Sequence, residues 1–172
     1  AELEAEFPLR RLTEVVSELS QDGTRKFLWR LDDGEAIESV LIPSGSRRTL
    51  CISSQAGCAL GCVFCATGLM GFRRNLSPFE IAGQVREVML RDPADKPSNI
   101  VFMGMGEPLL NWPGVDVALT ILNSPEGLGI GARHLDHRRR TERGAPRPEH
   151  GHSRTQVHVG PDARVEARPR LR

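Results

Sequence analysis

The stretch Cys58-Ala-Leu-Gly-Cys62-Val-Phe-Cys65 organises this chain of 172 residues. Its three cysteines follow the spacing C-x3-C-x2-C and can point three thiolates at one centre. Iron–sulfur clusters are held by cysteine thiolates, commonly four of them. A compact loop with three therefore suggests a cluster that keeps one iron open for a ligand other than protein. We predict that Cys58, Cys62 and Cys65 ligate such a cluster.

A fourth cysteine, Cys51, leaves two alternatives open. It would complete a four-thiolate site for zinc, which prefers four closed ligands, or for a four-cysteine cluster. Disulfide pairing among the four needs an oxidising compartment, and the sequence shows neither a signal peptide nor an apolar transmembrane run. We therefore favour the three-thiolate cluster and expect a cytoplasmic protein without membrane contact.

The basic character of the chain is confined to its last part. Residues 136–172 hold ten Arg, no Lys and five acidic residues, a net charge of +5. Because the whole chain carries +1, the segment 1–135 must carry −4. The sequence pI near 8.0 is a property of this arginine-rich segment and is no nucleic-acid footprint on the folded part.

The segment before the cysteine loop predicts a helix and a hairpin. Apolar residues recur at helical spacing within residues 1–22, namely Leu9, Leu12, Val15, Val16 and Leu19. In residues 23–48 two strands, Lys26 to Leu31 and Ala36 to Ile42, flank the turn Asp32-Asp33-Gly34-Glu35. A short third strand from Thr49 to Ser53 carries Cys51.

Strands and helices alternate from Thr49 onward. Ser77-Pro-Phe-Glu80 is a capping box that starts a helix running to about Arg91. Asn99-Ile-Val-Phe-Met103 is short and apolar enough for a buried strand, and Trp112-Pro113 opens a second helix. This order predicts an α/β fold with a parallel sheet, whose functional loops gather at the carboxyl ends of the strands. Two such strands alone cannot close a barrel.

Residues 136–172 lack any apolar period, so we expect them to be disordered. They suit an arginine-rich arm that folds on RNA, a solvated tail, or an out-of-frame reading of GC-rich coding DNA. We favour the third interpretation, because a parallel sheet would otherwise stop after two strands.

The loop after the second parallel strand, Gly104-Met-Gly-Glu-Pro108, matches the chemistry of the cysteine loop. A cluster with one open iron can bind the amino and carboxylate groups of S-adenosylmethionine and pass an electron into its sulfonium. Gly106 permits close backbone approach, and Glu107 offers a carboxylate for the ammonium group. Phe64 could shield the cluster or pack on the adenine.

These motifs resemble the radical S-adenosylmethionine (SAM) superfamily, and their surroundings resemble the RlmN family within it. The resemblance covers roughly residues 9–135. It is most specific in three stretches, which are Cys51-Ile-Ser-Ser-Gln-Ala-Gly-Cys58 continuing to Gly68, Gly71-Phe-Arg-Arg-Asn-Leu76, and Met103-Gly-Met-Gly-Glu-Pro-Leu-Leu-Asn111. It implies the first part of a partial (β/α) barrel in residues 49–135. The activity implied is methylation of C2 of an adenine in 23S rRNA and in certain tRNAs. Similar Cfr-type enzymes, which methylate C8 of the same rRNA adenine, are the alternative.

The resemblance also implies site residues and partners. Cys58, Cys62 and Cys65 would ligate a [4Fe–4S] cluster, and Gly106 and Glu107 would bind S-adenosylmethionine. Glu38 matches a glutamate assigned as proton acceptor. Cys51 matches a cysteine that forms a transient disulfide with a second catalytic cysteine. The expected partners are 23S rRNA, tRNA and an electron donor such as flavodoxin, and the expected state is a monomer.

One departure from the family pattern limits what this chain can do alone. The family uses a cysteine near its C-terminus as methyl carrier, and no cysteine follows Cys65 here. We therefore expect that this polypeptide alone does not methylate RNA. A zinc or iron–sulfur RNA-binding module without catalysis, and a decayed gene product, are the remaining alternatives.

Overall fold

The computed structural model describes residues 11–130. Four antiparallel strands come first, and they are β1 (Thr13–Leu19), β2 (Arg25–Arg30), β3 (Ala36–Ser44) and β4 (Arg47–Cys51). β2 and β3 pair from Arg25↔Leu41 to Arg30↔Ala36, which confirms the predicted hairpin. The predicted disorder of residues 136–172 lies outside the described residues.

The helix predicted in residues 1–22 is wrong for its described part, which is the strand β1. β1 pairs along the open edge of β2 from Thr13↔Arg30 to Leu19↔Arg25, with a bulge between Glu14 and Val16. The helical spacing of its apolar residues buries no face, since Val16 is 46% and Leu19 61% exposed. Pairing of the backbone with β2, rather than burial of an apolar stripe, therefore determines this element.

The sheet is completed by a parallel strand. β7 (Asn99–Val101) lies beside β4 from Thr49↔Asn99 to Cys51↔Val101, giving the order β1-β2-β3-β4-β7. The connection from β4 to β7 contains a second, two-stranded sheet that the sequence did not predict. The elements of this connection are β5 (Gln55–Gly57), α1 (Ala66–Leu69), β6 (Phe72–Asn75) and α2 (Pro78–Arg91).

Two helices cover one face of the sheet. α2 begins at the predicted capping box, in which Ser77 Oγ accepts from Glu80 N at 3.3 Å and Glu80 Oε2 accepts from Ser77 N at 2.8 Å. The second, α3 (Trp112–Asn123), follows the 3-10 turn Pro108–Asn111. The predicted alternation of strands and helices and the α/β fold class are thus confirmed.

The core lies between the sheet and these helices. It is formed by side chains of alternate strand positions and of the inner helix faces, among them Phe27, Trp29, Ile37, Leu50, Ile52, Ile81, Val85, Ile100, Val115 and Leu122. Burial of each large apolar side chain contributes about 1.5–3 kcal/mol. The opposite face of the sheet, with Leu28, Glu38, Val40, Cys51 and Val101, is only partly buried among residues 11–130.

Candidate cofactor site

The cysteine loop connects β5 to α1 and is closed at its base by backbone contacts. Cys58 N donates to Gly71 O at 3.1 Å. Gly57, at φ +74°, lies so close that a Cβ there would sit 1.9 Å from Gly71 O. Only glycine fits this position, because any side chain would push the two ends of the loop apart.

The three thiols of this loop are free, as is that of Cys51, and all four cysteines are partly buried. Cys65 N donates to Cys62 O at 3.1 Å, so these two residues are neighbours in one tight turn. Within residues 11–130, however, no three His, Cys, Asp or Glu side chains are grouped closely enough to hold a metal ion. The donor set has the chemistry of a cluster site, whereas its convergence stays a prediction.

The Gly-Glu-Pro loop lies beside the segment that leads into the cysteine loop. Met105 O accepts from Ser54 N at 2.8 Å and from Gln55 N at 3.2 Å. Gly106 has φ +92°, and a Cβ on it would lie 2.4 Å from Gln55 Cβ. The Gly-Glu-Pro loop thus comes after the carboxyl end of β7. The cysteine loop comes after β5, a short strand that the sequence does not predict and that follows the carboxyl end of the adjacent parallel strand β4.

Glu107 is nearly buried, at 6% exposure. Its Oε1 accepts from Leu109 N at 3.0 Å and so caps the 3-10 turn Pro108–Asn111. Its second oxygen, Oε2, receives no hydrogen bond from any other described residue. An ionised carboxylate can accept several hydrogen bonds, so Glu107 keeps capacity for an ammonium group.

A network of buried amides around these loops was missed in the sequence. Gln55 Oε1 accepts from Glu107 N at 3.0 Å, and Gln55 Nε2 donates to Asn75 Oδ1 at 2.8 Å. Asn111 Nδ2 donates to Ser54 O and to Leu76 O, each at 2.8 Å. No spacing rule reveals such contacts, because the partners lie far apart in sequence and the second sheet brings them together.

Glu38 and Cys51 share the partly open face of the sheet. Val40 pairs with Cys51, and Glu38 lies two positions before Val40 on β3, which places its side chain on the same face. Glu38 Oε1 forms an ion pair with Lys26 Nζ at 2.7 Å. The sequence predicts the strand position of Glu38 but not its pairing with Lys26. The hydrogen bond with Glu38 raises the pKa of Lys26.

The surroundings of Cys51 disfavour its thiolate. Burial raises the pKa of Cys51, and the hydrogen bond from the backbone N–H of Met103 only partly opposes this. Phe64, in the cysteine loop, is 77% exposed. Its packing on a cluster or an adenine stays a prediction.

Comparison with known proteins defines the class to which this fold and loop pair belong. The family model described as "Radical SAM superfamily" matches residues 52–142, which are more than half of the chain. A crystal structure of a radical SAM methyltransferase from Sphaerobacter thermophilus is similar at a TM-score of 0.71 and 42% identity, over 78% of this chain and 40% of that one. The chain belongs to the radical SAM superfamily.

Within the superfamily, the relatives bear one name. "Probable dual-specificity RNA methyltransferase RlmN" of Gemmatimonas aurantiaca is 59% identical over 133 residues, which are 77% of this chain and 37% of the relative. "Dual-specificity RNA methyltransferase RlmN" of Syntrophotalea carbinolica is 54% identical over 136 residues, 78% of this chain and 36% of the relative. The predicted resemblance to the RlmN family is confirmed.

The chain thus spans little more than a third of the length of these relatives. In the part that the structure describes, none of the helices has the length and apolar character that a membrane span requires.

Proposed function

We propose that this chain carries the cluster-binding and cofactor-binding start of a radical SAM RNA methyltransferase. One observation carries the proposal. Gln55 lies on β5, the strand that leads into the cysteine loop, and its Oε1 accepts a hydrogen bond of 3.0 Å from Glu107 N in the Gly106-Glu107 loop. Two motifs that lie far apart in sequence are thereby neighbours in space.

Cys58, Cys62 and Cys65 would hold a [4Fe–4S] cluster in this proposal. Such a cluster would supply one-electron chemistry for the reductive activation of S-adenosylmethionine, the cofactor class that acts on unreactive C–H bonds. Glu107 would hold the ammonium group of S-adenosylmethionine. Gly106 would bind S-adenosylmethionine through its backbone, and Phe64 would shield the cluster or pack on the adenine.

The remaining assignments concern the substrate. Glu38 would act as proton acceptor. Cys51 would help to resolve the RNA-bound intermediate by forming a transient disulfide with the methyl-carrier cysteine, which this chain does not contain and a longer protein would have to supply. In a longer protein that supplies the methyl-carrier cysteine, the substrate would be an adenine of 23S rRNA or tRNA, methylated at C2. That protein would act as a cytoplasmic monomer with a flavodoxin-like electron donor. The names of the relatives support an RNA substrate.

Anaerobic reconstitution with iron and sulfide tests the proposal. The purified chain should take up about four iron atoms, and its reduced electron paramagnetic resonance (EPR) signal should change when S-adenosylmethionine is added. Cys62→Ala should lose the cluster. Cys51→Ala should retain it, because a site with an open iron uses only the three loop cysteines.

The same measurement separates the alternatives. Zinc without iron would identify a colourless structural module, and loss of the cluster in Cys51→Ala would identify a closed four-cysteine site. A cluster whose EPR signal does not change when S-adenosylmethionine is added would contradict the assignment of Glu107 and Gly106 as cofactor-binding residues. Each of these results would replace the proposed function.

A further inference from the structure

Gln55 is a buried polar side chain between the two functional loops. It is 1% exposed and lies three residues before Cys58, on the short strand that leads into the cysteine loop. Its Oε1 accepts from Glu107 N at 3.0 Å, and its Nε2 donates to Asn75 Oδ1 at 2.8 Å. Both ends of its amide are therefore engaged.

The contact between Gln55 and the second loop has three components. Gln55 N donates to Met105 O, the side chain accepts from Glu107 N, and the Cβ position of Gly106 would touch Gln55 Cβ. Bulk and hydrogen bonds of one residue thus determine where the backbone of Gly106 and Glu107 lies. Asn75 braces the amide from β6, the strand paired with β5.

We propose that Gln55 is a positioning residue for S-adenosylmethionine. Its side chain holds the carboxylate of Glu107 at a fixed place relative to the cysteine loop, so that the ammonium group meets Glu107 while the open iron is within reach of the same ligand. Gln55 itself touches neither. The proposal rests on the proposed function for the identity of the ligand and on the observed contacts for the positioning.

A purely structural role for Gln55 is the competing interpretation, and Gln84 offers the matched control. Gln84 is fully buried, its Oε1 accepts from Ser53 N at 2.9 Å, and its Nε2 donates to Ser53 O at 2.9 Å. It forms no hydrogen bond with Gly106 or Glu107. Gln55→Leu and Gln84→Leu therefore each replace a buried amide with an apolar side chain of similar size. Gln84→Leu also removes the acceptor of Ser39 Oγ at 2.8 Å, so it is the more severe control for general destabilisation.

Amide hydrogen exchange of the full chain, followed residue by residue by NMR without cofactor, tests the positioning. In Gln55→Leu the amide of Glu107 loses its acceptor and should exchange about tenfold faster, as expected for the loss of one buried hydrogen bond. In Gln84→Leu the amide of Ser53 should accelerate while that of Glu107 stays slow. An unchanged Glu107 amide in Gln55→Leu would overturn the proposal, whatever the ligand.

The second readout is the response of the reconstituted cluster to S-adenosylmethionine. Gln55→Leu should retain the iron content of the wild type and require about tenfold more S-adenosylmethionine for half of the EPR change. Gln84→Leu should respond like the wild type. If iron content falls together with the response, Gln55 acts on the cysteine loop and the proposed route is wrong. A wild type without any response would refute the proposed function, while the exchange experiment still decides the positioning.

Asn75 provides a variant that does not disturb the core, since it is exposed at the surface. Asn75→Leu removes the brace of Gln55 and should accelerate exchange of the Glu107 amide about threefold. Asn75→Asp keeps an acceptor for Gln55 Nε2 and should match the wild type. Equal exchange in all three proteins would contradict the proposal even if Gln55→Leu failed to fold.

Discussion

At the scale of single residues, Gly106 combines two requirements that only a glycine can meet. Its φ of +92° is a conformation that side chains disfavour, and a Cβ would lie 2.4 Å from Gln55 Cβ. Gly106→Ala should therefore lower the free energy of unfolding by about 3 kcal/mol, from strain and overpacking together. Urea denaturation measures this loss.

Gly34 separates the two contributions, because it has φ +88° and open space around its Cβ position. Gly34→Ala should cost about 1 kcal/mol, the backbone term alone. If both substitutions cost the same, the contact between Gly106 and Gln55 is no steric constraint.

Cys51 allows a prediction about pH. Because burial raises the pKa of its thiol, the reactive thiolate forms at higher pH in the folded protein than in the unfolded chain. In a variant with Cys58, Cys62 and Cys65 replaced by alanine, iodoacetamide should label Cys51 several-fold more slowly at pH 8 than in concentrated urea. The difference should shrink as the pH is raised. Equal labelling rates at pH 8 in the folded protein and in urea would show that the folded environment does not lower the reactivity of Cys51.

At the scale of elements, local signals identified those that end in recognisable caps or turns. The capping box at Ser77 gave the start of α2, and the turn at Gly34 gave the hairpin, because both depend on neighbouring residues alone. The apolar spacing of β1 also suits a helix, and its pairing with β2 is not a local property, so the sequence predicts the wrong element there. β5 and β6 are three and four residues long and were missed, because contact between Gly57 and Gly71 determines their pairing.

Arg74 on β6 links three elements through two acidic partners. It donates to Asp33 in the hairpin turn and to Glu80 at the start of α2, where the Nη2–Oε1 distance is 2.8 Å. The hydrogen bond from Arg74 lowers the pKa of Asp33. For Glu80, burial alone would raise the pKa, but the hydrogen bonds from Arg74 and Ser77 outweigh it and the pKa is lowered.

These lowered pKa values predict how Arg74 affects stability in acid. The stabilisation is present above the ordinary values of 3.8 and 4.5 and is lost as the pH falls through the lower folded-state values. Arg74→Met should cost about 1–2 kcal/mol at pH 7, since both pairs are partly screened by solvent. It should also flatten the fall in unfolding free energy between pH 5 and pH 3.

Arg73 is the control for Arg74, since it is exposed on the same strand and forms no ion pair with another described residue. Arg73→Met should leave both the stability at pH 7 and the acid slope unchanged. Equal slopes for Arg74→Met and the wild type would mean that Asp33 and Glu80 titrate alike in the folded and unfolded chain.

At the scale of the whole molecule, the candidate site was predictable as a pair of motifs but not as a geometry. The cysteine spacing and Gly106-Glu107 were readable because their chemistry requires fixed residue types. Gln55 and Lys26 were not, because a glutamine or lysine in a strand is usually solvated, and their partners become visible only when strands are paired.

The uneven charge of the chain leads to the last prediction. The segment 136–172 carries +5, whereas the segment 1–135 carries −4, and the core lies between Leu12 and Ile130. A chain ending at Leu135 should therefore unfold within ~2 °C of the full chain, because no described core contact is removed.

The shortened chain should also lose weak binding to a single-stranded RNA such as poly(A), measured by fluorescence anisotropy. Binding by the full chain should fall steeply with salt, as expected when arginines displace counterions from phosphates. If the shortened chain binds poly(A) as tightly as the full chain and with the same salt dependence, the folded part has a basic surface that binds RNA despite its negative net charge.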